Sequence, residues 1–174
     1  MRAPYVLLDR DGTLIEDVPY LNDWTKVRFL PGVIDGLSKL LKRNFRLGIV
    51  SNQSGVGRGL IQFSQLLQVN SYIVDVLLSN QIELDFFYCC LHDPIGECNC
   101  RKPRIGLVQD SLLARKILQS KSFMVGNSQC DIDFANNLGV HPILLRHGGI
   151  NGIERSPYYA TSFNMVIKMI DQLK

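Results

Sequence analysis

Five short apolar runs, each followed by a polar turn and then a helical pattern, constrain this chain more than any other feature. The runs are Tyr5-Val6-Leu7-Leu8, Arg46 to Val50, Asp85 to Cys89, Ser122 to Val125 and His141 to Leu145. Between them, Val33, Leu37, Leu40 and Leu41 fall at helical spacing after Pro31, a residue suited to a helix entry. Ser64 to Asn80 reads as a broad apolar helix through Leu66, Val69, Ile73 and Leu77. Gly106 to Leu118 reads as another, with Leu107, Leu112 and Leu113 as its apolar positions. Ile132 to Leu138 is a helix stopped by Gly139, and an amphipathic helix starts at Phe163. Strands alternating with helices at this rhythm predict an α/β fold, a Rossmann-like parallel sheet with helices on both faces. Pro142 places its strand at an edge, or itself among that strand's first residues.

At 174 residues the chain is expected to form one domain, residues 1–174, with a sizeable core. Hydrophobic residues at 46% and charged ones at 20% fit a globular protein, and the net charge of +3 is too mild to argue for nucleic acid or an anionic membrane. No apolar run approaches the roughly 18 residues of a membrane helix. Met1-Arg2-Ala3-Pro4 enters a strand without a signal-peptide pattern, so a cytoplasmic location is expected.

The polar residues that follow the strands carry the chemistry. Asp9 and Asp11 follow the first, Ser51 and Asn52 the second, Asn127 and Asp131 the fourth. A parallel sheet brings these ends to one edge, where open α/β sheets bind ligands. In Asp9-Arg10-Asp11-Gly12-Thr13 one carboxylate can attack while its neighbour handles protons, and Mg²⁺ can hold both against a phosphate; the same pair can also be a helix cap or a turn. Ser51 to Gly59 offers hydroxyls, amides, free N–H groups and the Arg58 guanidinium, either an anion-binding loop or an ordinary turn before a helix. Lys102 supplies the cation that an anionic substrate needs.

The five cysteines are an odd count, four of them within twelve residues, and make a poor disulfide framework. Cys90-x-His92, five residues, then Cys98-x-Cys100 offers three thiolates and an imidazole, a preferred tetrahedral set for Zn²⁺ with no open position, hence structural. The alternative is a group of buried cysteines with an incidental histidine. Arg101 and Lys102 directly follow the last ligand, so an anchored Cys100 would fix where both cations point. Cys89 reads as a core residue, Cys130 as a free thiol near the site, and His141 and His147 as structural or surface residues.

Asp9-x-Asp11-Gly12-Thr13, Ser51, Lys102 and Val125-Gly126-Asn127-Ser128-Gln129-Cys130-Asp131 resemble the four motifs of the haloacid dehalogenase superfamily. Within it, the first motif with Asn52-Gln53-Ser54-Gly55, Arg58-Gly59 and the cysteine loop running into Arg101-Lys102-Pro103 is similar to the branch of heptose-bisphosphate and histidinol-phosphate phosphatases, from Tyr5 to about Gly148. The resemblance implies an Mg²⁺-dependent phosphoric monoester hydrolase without a large cap, with Asp9 as nucleophile, Asp11 as acid and base, and Ser51 and Lys102 stabilising the phosphoryl group. It implies Mg²⁺ on Asp9, Asp11 and residue 127, and structural Zn²⁺ on Cys90, His92, Cys98 and Cys100. Arg10, Asp17, Val18, Pro19, Tyr20, Asn52, Gln53, Ser54, Arg58 and Arg101 would contact the substrate. The expected partner is a small phosphorylated sugar, the 7-phosphate of a heptose bisphosphate on a route to surface polysaccharide, handled by a monomer with no nucleic-acid or membrane partner. Histidinol phosphate is the alternative substrate, and a catalytically weakened ligand-binding module the alternative class. One residue departs from the family: Asn127 stands where an aspartate is usual. An amide oxygen can coordinate Mg²⁺ without neutralising it, so weakened Mg²⁺ affinity is expected, with Asp131 or Asp133 compensating through water.

Overall fold

A strand buried on both faces needs apolar side chains at every position, and Tyr5–Leu8 (β1) meets that requirement with all four residues at 0% exposure. The computed structural model of the chain describes residues 2–111, 114–146 and 158–173. In it β1 sits inside a parallel sheet with Arg46–Asn52 (β2), Phe86–Cys90 (β3), Phe123–Gly126 (β4), His141–Leu145 (β5) and Tyr159–Ala160 (β6). The order is β3-β2-β1-β4-β5-β6 and every pairing is parallel.

Alternate side chains leave the sheet in opposite directions, which divides the core in two. Val6, Leu8, Leu47, Ile49 and Val125 pack with Val33–Lys42 (α1), Phe63–Ser79 (α3) and Phe163–Gln172 (α6). On the other face Tyr5, Leu7, Val50 and Met124 meet Val108, Ile117 and the apolar side of Gln129–Leu138 (α5). Ser54–Gly57 (α2) and Gly106–Gln109 (α4) are single turns. Gly139, with φ of 77°, takes the left-handed conformation that ends α5.

The expected helix over Gly106 to Leu118 is corrected. Only α4 is α-helical. Ser111 Oγ donates to the carbonyl of Val108 at 2.6 Å, a local bond that competes with helix continuation. Ala114–Lys116 is a 3₁₀ turn, and Ile117, 2% exposed, forms a parallel bridge with Ala3. Leu112, Leu113 and His147 lie outside the described residues. Pro142 is not on an edge strand: β5 has β4 on one side and β6 on the other, but β6 reaches only Leu144 and Leu145. The missing N–H therefore falls before the second pairing begins. β6 is two residues long, too short for any periodic signal.

α6 closes the core through Phe163, whose ring lies over Gly36 of α1; a Cβ there would come within 2.2 Å of the ring. Phe163→Ala is expected to destabilise the protein by about 3–5 kcal/mol, read as a lower urea midpoint at unchanged slope. A loss below about 1 kcal/mol would mean that α6 is not part of the cooperative core.

Candidate active site

The strand order reverses between β1 and β4, so the connections that follow these strands leave in opposite directions and open a crevice at their carboxyl ends. A cavity of about 350 Å³ occupies it. Asp9, Asp11, Ser51, Lys102 and Asn127 all line it. So do Arg10, Asp17, Val18, Pro19, Tyr20, Asn52, Gln53, Ser54 and Arg101. Arg58 does not. Its Nη1 donates to the Tyr20 hydroxyl at 2.5 Å, and its guanidinium stacks over that ring, 5.6 Å from the centroid.

Asp9 continues the β1–β4 pairing, its N–H donating to the Val125 carbonyl at 2.9 Å. Its carboxylate, in a residue only 8% exposed, accepts from Lys102 Nζ at 2.7 Å. The same ammonium donates to Asp131 Oδ1 at 2.6 Å. Burial pushes the Asp9 carboxyl up to about 7; Lys102 works against that rise, Asp131 and Asp11 with it. For Lys102, burial alone would lower the pKa, but the two carboxylates outweigh it and hold the ammonium above the ordinary lysine range. Burial, aided by Asp11 and opposed by Arg10, also raises the carboxyl of Asp17.

Asp11 is held on both oxygens. Arg10 Nε and Nη2 reach it at 3.0 and 2.9 Å, and Gln53 Nε2 donates to Oδ2 at 2.6 Å. Gln53 Nε2 also donates to Ser51 Oγ at 2.8 Å, while its Oε1 accepts from Arg10 Nη2 at 2.9 Å. Arg10 therefore turns inward: 1% exposed, it places its remaining Nη1 on Asn70 Oδ1 at 2.8 Å. The Asn52 amide is likewise taken, accepting from the Lys102 N–H at 2.9 Å and donating to the Lys102 carbonyl at 3.1 Å. Arg101 differs. It lines the cavity, and its Nη1 is buried with no hydrogen-bond partner.

Gly12, with φ of 70°, turns the chain under Asn127; a Cβ there would lie 1.9 Å from Asn127 Nδ2. That close approach seats the Asn127 side chain beside the aspartate turn. Of the two carboxylates expected to compensate for Asn127, Asp131 lines the cavity. Asp131 is 1% exposed, with Lys102 on one oxygen and the Ser128 N–H and Oγ on the other. Asp133 accepts from Gln129 Nε2 at 2.9 Å and does not line the cavity. Asp131 as the lysine's second anchor, and Asn70 behind Arg10, escaped the sequence reading. The Ser128-x-x-Asp131 spacing marks that carboxylate as a cap on Ser128 but not as a partner of Lys102, and nothing marks Asn70.

Cys90, His92, Cys98 and Cys100 bring one donor atom each within 4.8 Å of all the others. Cys90 Sγ lies 3.3 Å from Cys100 Sγ and 3.8 Å from Cys98 Sγ, and His92 Nδ1 is 3.1 Å from Cys100 Sγ. Zn–S bonds of about 2.3 Å and Zn–N of about 2.0 Å give tetrahedral edges of about 3.5–3.8 Å, so the four donors have the spread of a metal site. Backbone bonds tie this loop to the cavity: the Gln53 N–H donates to the Cys90 carbonyl at 2.7 Å and the Gly57 N–H to that of Leu91 at 3.0 Å. Cys89 lies on β3, its sulfur taking the Asn70 amide at 3.6 Å, and Cys130 lines the cavity. Burial pushes both thiols up to about 11.

Residues 6–142 match the family described as polynucleotide kinase 3 phosphatase. A Thermoplasma volcanium protein named "Probable D-glycero-D-manno-heptose-1,7-bisphosphate 7-phosphatase" is 36% identical over 143 residues, 82% of this chain and 98% of that one. The histidine biosynthesis bifunctional protein HisB of Legionella pneumophila is 34% identical over 147 residues, 82% of this chain but 42% of its own length. The crystal structure of the D,D-heptose 1,7-bisphosphate phosphatase of B. bronchiseptica, complexed with magnesium and phosphate, superposes with a TM-score of 0.86 at 24% identity, covering 98% of this chain and 99% of that one. The chain thus belongs to the polynucleotide kinase 3 phosphatase family and, within it, groups with the D-glycero-D-manno-heptose-1,7-bisphosphate 7-phosphatases.

Proposed function

We propose that residues 1–174 act as one Mg²⁺-dependent phosphatase domain that removes the 7-phosphate of D-glycero-D-manno-heptose 1,7-bisphosphate through an aspartyl-phosphate at Asp9. One observation carries this reading: the Asp9 carboxylate stands at the head of β1 beside an open cavity, gripped by Lys102 at 2.7 Å, with a second carboxylate two residues on. An Asp9 oxygen attacks phosphorus in line, the bond from phosphorus to the sugar oxygen breaks, and Asp11 gives that oxygen a proton. Asp11 then takes a proton from water, which attacks phosphorus, breaks the bond to Asp9 and frees inorganic phosphate. Ser51 and Lys102 meet the phosphoryl oxygens, and Arg101 offers its unpartnered Nη1 to the substrate.

The donor set fits magnesium. Asp9 and Asp131 share one ammonium, which leaves surplus negative charge, and Asn127 places an amide beside the Asp9–Asp11 turn. Asp9, the Asp11 carbonyl and Asn127 would hold the ion, which offsets the crowding of carboxylate and phosphoryl charge. Three sulfurs and one imidazole nitrogen suit zinc, and with all four positions filled the ion would be structural, fixing the loop that delivers Arg101 and Lys102. The Asp17–Tyr20 wall gives a sugar polar and apolar contacts, and the resemblance of Tyr20, Asn52-Gln53-Ser54-Gly55 and Arg58-Gly59 to the heptose enzymes favours the heptose reading. The likeness to HisB makes histidinol phosphate the second candidate. The reading includes a cytoplasmic monomer acting on a small ester; the mild net charge of +3 gives no sign of a polyanionic partner, and among the described residues no helix is long and apolar enough to cross a membrane.

Phosphate release under Mg²⁺ should be fastest from the heptose bisphosphate in a side-by-side panel with histidinol phosphate, and Asp9→Asn should lower it by roughly a thousandfold or more. Faster release from histidinol phosphate reverses the substrate assignment, and an active Asp9→Asn variant removes the nucleophile. Asn127→Asp adds a charge at the ion and should tighten Mg²⁺ binding by about tenfold or more in calorimetry; an unchanged isotherm takes Asn127 out of the metal site. Cys98→Ser should purify with less than about a tenth of the zinc of the parent and with impaired turnover. Full activity in a zinc-free protein would refute the anchoring role.

A further inference from the structure

Asn70 lies on α3, outside every motif that the sequence presents. Its amide spans two groups: Oδ1 accepts from Arg10 Nη1 at 2.8 Å, and Nδ2 donates to Cys89 Sγ at 3.6 Å. The guanidinium decides which way the amide faces: Arg10 can only donate, so the carbonyl oxygen points at it and the NH₂ is left to the Cys89 sulfur. Arg10 is 1% exposed, so partners within the protein must satisfy most of its guanidinium. Its guanidinium is planar, so fixing Nη1 fixes the edge made by Nε and Nη2, and that edge carries Asp11 at 3.0 and 2.9 Å. Gln53 completes the bracket, accepting from Arg10 and donating to Asp11.

We propose that Asn70 is a positioning residue for proton transfer by Asp11, acting through the Arg10 guanidinium. The inference rests on the roles given above to Asp9 and Asp11. Without an acceptor at position 70, a buried guanidinium must find another partner, and it tilts away from its present plane. Asp11 follows the edge it is bound to. A carboxyl displaced by a fraction of an ångström still leaves Asp9 free to attack but no longer meets the leaving oxygen squarely. The step affected is therefore specific: the bond from phosphorus to the leaving oxygen breaks as a proton passes from Asp11 to that oxygen. An alkoxide leaving group needs that proton, whereas p-nitrophenolate departs as a stable anion without it.

The test uses the full chain with zinc and Mg²⁺, p-nitrophenyl phosphate, and whichever alkyl ester the parent turns over, heptose bisphosphate or histidinol phosphate. The readout is kcat/KM, which covers the chemistry up to departure of the leaving group. Asn70→Leu should lower kcat/KM on the alkyl ester by at least roughly tenfold and on the aryl ester by less than about threefold. Asn70→Asp, which keeps an acceptor at the same distance, should restore most of the alkyl rate. Equal losses on both esters, or none on either, overturn the inference and leave the phosphatase reading standing. Should Asn70→Leu fail to fold in a thermal melt, Asn70→Ala withdraws the acceptor without enlarging the side chain and is held to the same comparison. A parent protein inactive on both esters overturns the phosphatase reading itself, and this inference with it.

Discussion

A lysine ammonium buried between two carboxylates sets the terms for the rest of the molecule. Lys102 is 3% exposed, and its Nζ reaches Asp9 and Asp131 at 2.7 and 2.6 Å. Removing such charges from water costs several kcal/mol for each ion, a cost offset only when the partners meet in good geometry. The three residues come from the end of β1, the loop after β3 and the first turn of α5. Only a parallel sheet, with strand ends gathered at one edge and the order reversing between β1 and β4, brings such separated segments together.

Lys102 arrives on a segment with little regular structure, so other contacts must fix it. Asn52, at the end of β2, brackets the Lys102 backbone with both atoms of its amide. Two residues upstream, Cys100 belongs to the cluster of four donors, and Arg104 Nη1 caps the Cys98 carbonyl within the same loop. A long connection without strands or helices is ordinarily mobile, and one that delivers a charge to a buried site needs fastening along its length. The side-chain amide and the cysteine–histidine cluster are those fastenings, one at the lysine and one just before it.

What was legible in the sequence was local. β1 announced itself through four apolar residues, Asp9 and Asp11 through their place after it, and the cysteine cluster through its spacing. Asp131 could be placed at the edge, but its partner could not, because a carboxylate near a candidate metal and a carboxylate on a lysine look alike in one dimension. Arg10 reads by resemblance as a substrate contact, yet its guanidinium turns inward to Asn70, sixty residues away, which offers it a buried acceptor. Long-range pairings of this kind leave no periodic trace. The helix expected after Gly106 failed for the opposite reason: a short local bond from Ser111 and the bridge of Ile117 to Ala3 outweighed a reasonable helical pattern.

The lysine's two partners are not equivalent once chemistry begins. In the proposed reaction Asp9 becomes an acyl phosphate, and the negative charge that Lys102 held on Asp9 Oδ1 moves to the phosphoryl oxygens. Asp131, with its other oxygen on the Ser128 N–H and hydroxyl, stays where it is and keeps the ammonium in place. The lysine then trades one anion for another without leaving its site, and its attraction grows as charge builds on the transferring group, the differential binding that lowers a barrier. Arg101 stands apart from this exchange. Its Nη1 has no carboxylate to give up, and a buried donor without a partner costs about 1–3 kcal/mol until an anion arrives. In the proposed reaction ground-state capture would therefore fall to Arg101 and transition-state stabilisation to Lys102, two adjacent cations divided by whether a protein carboxylate already occupies them.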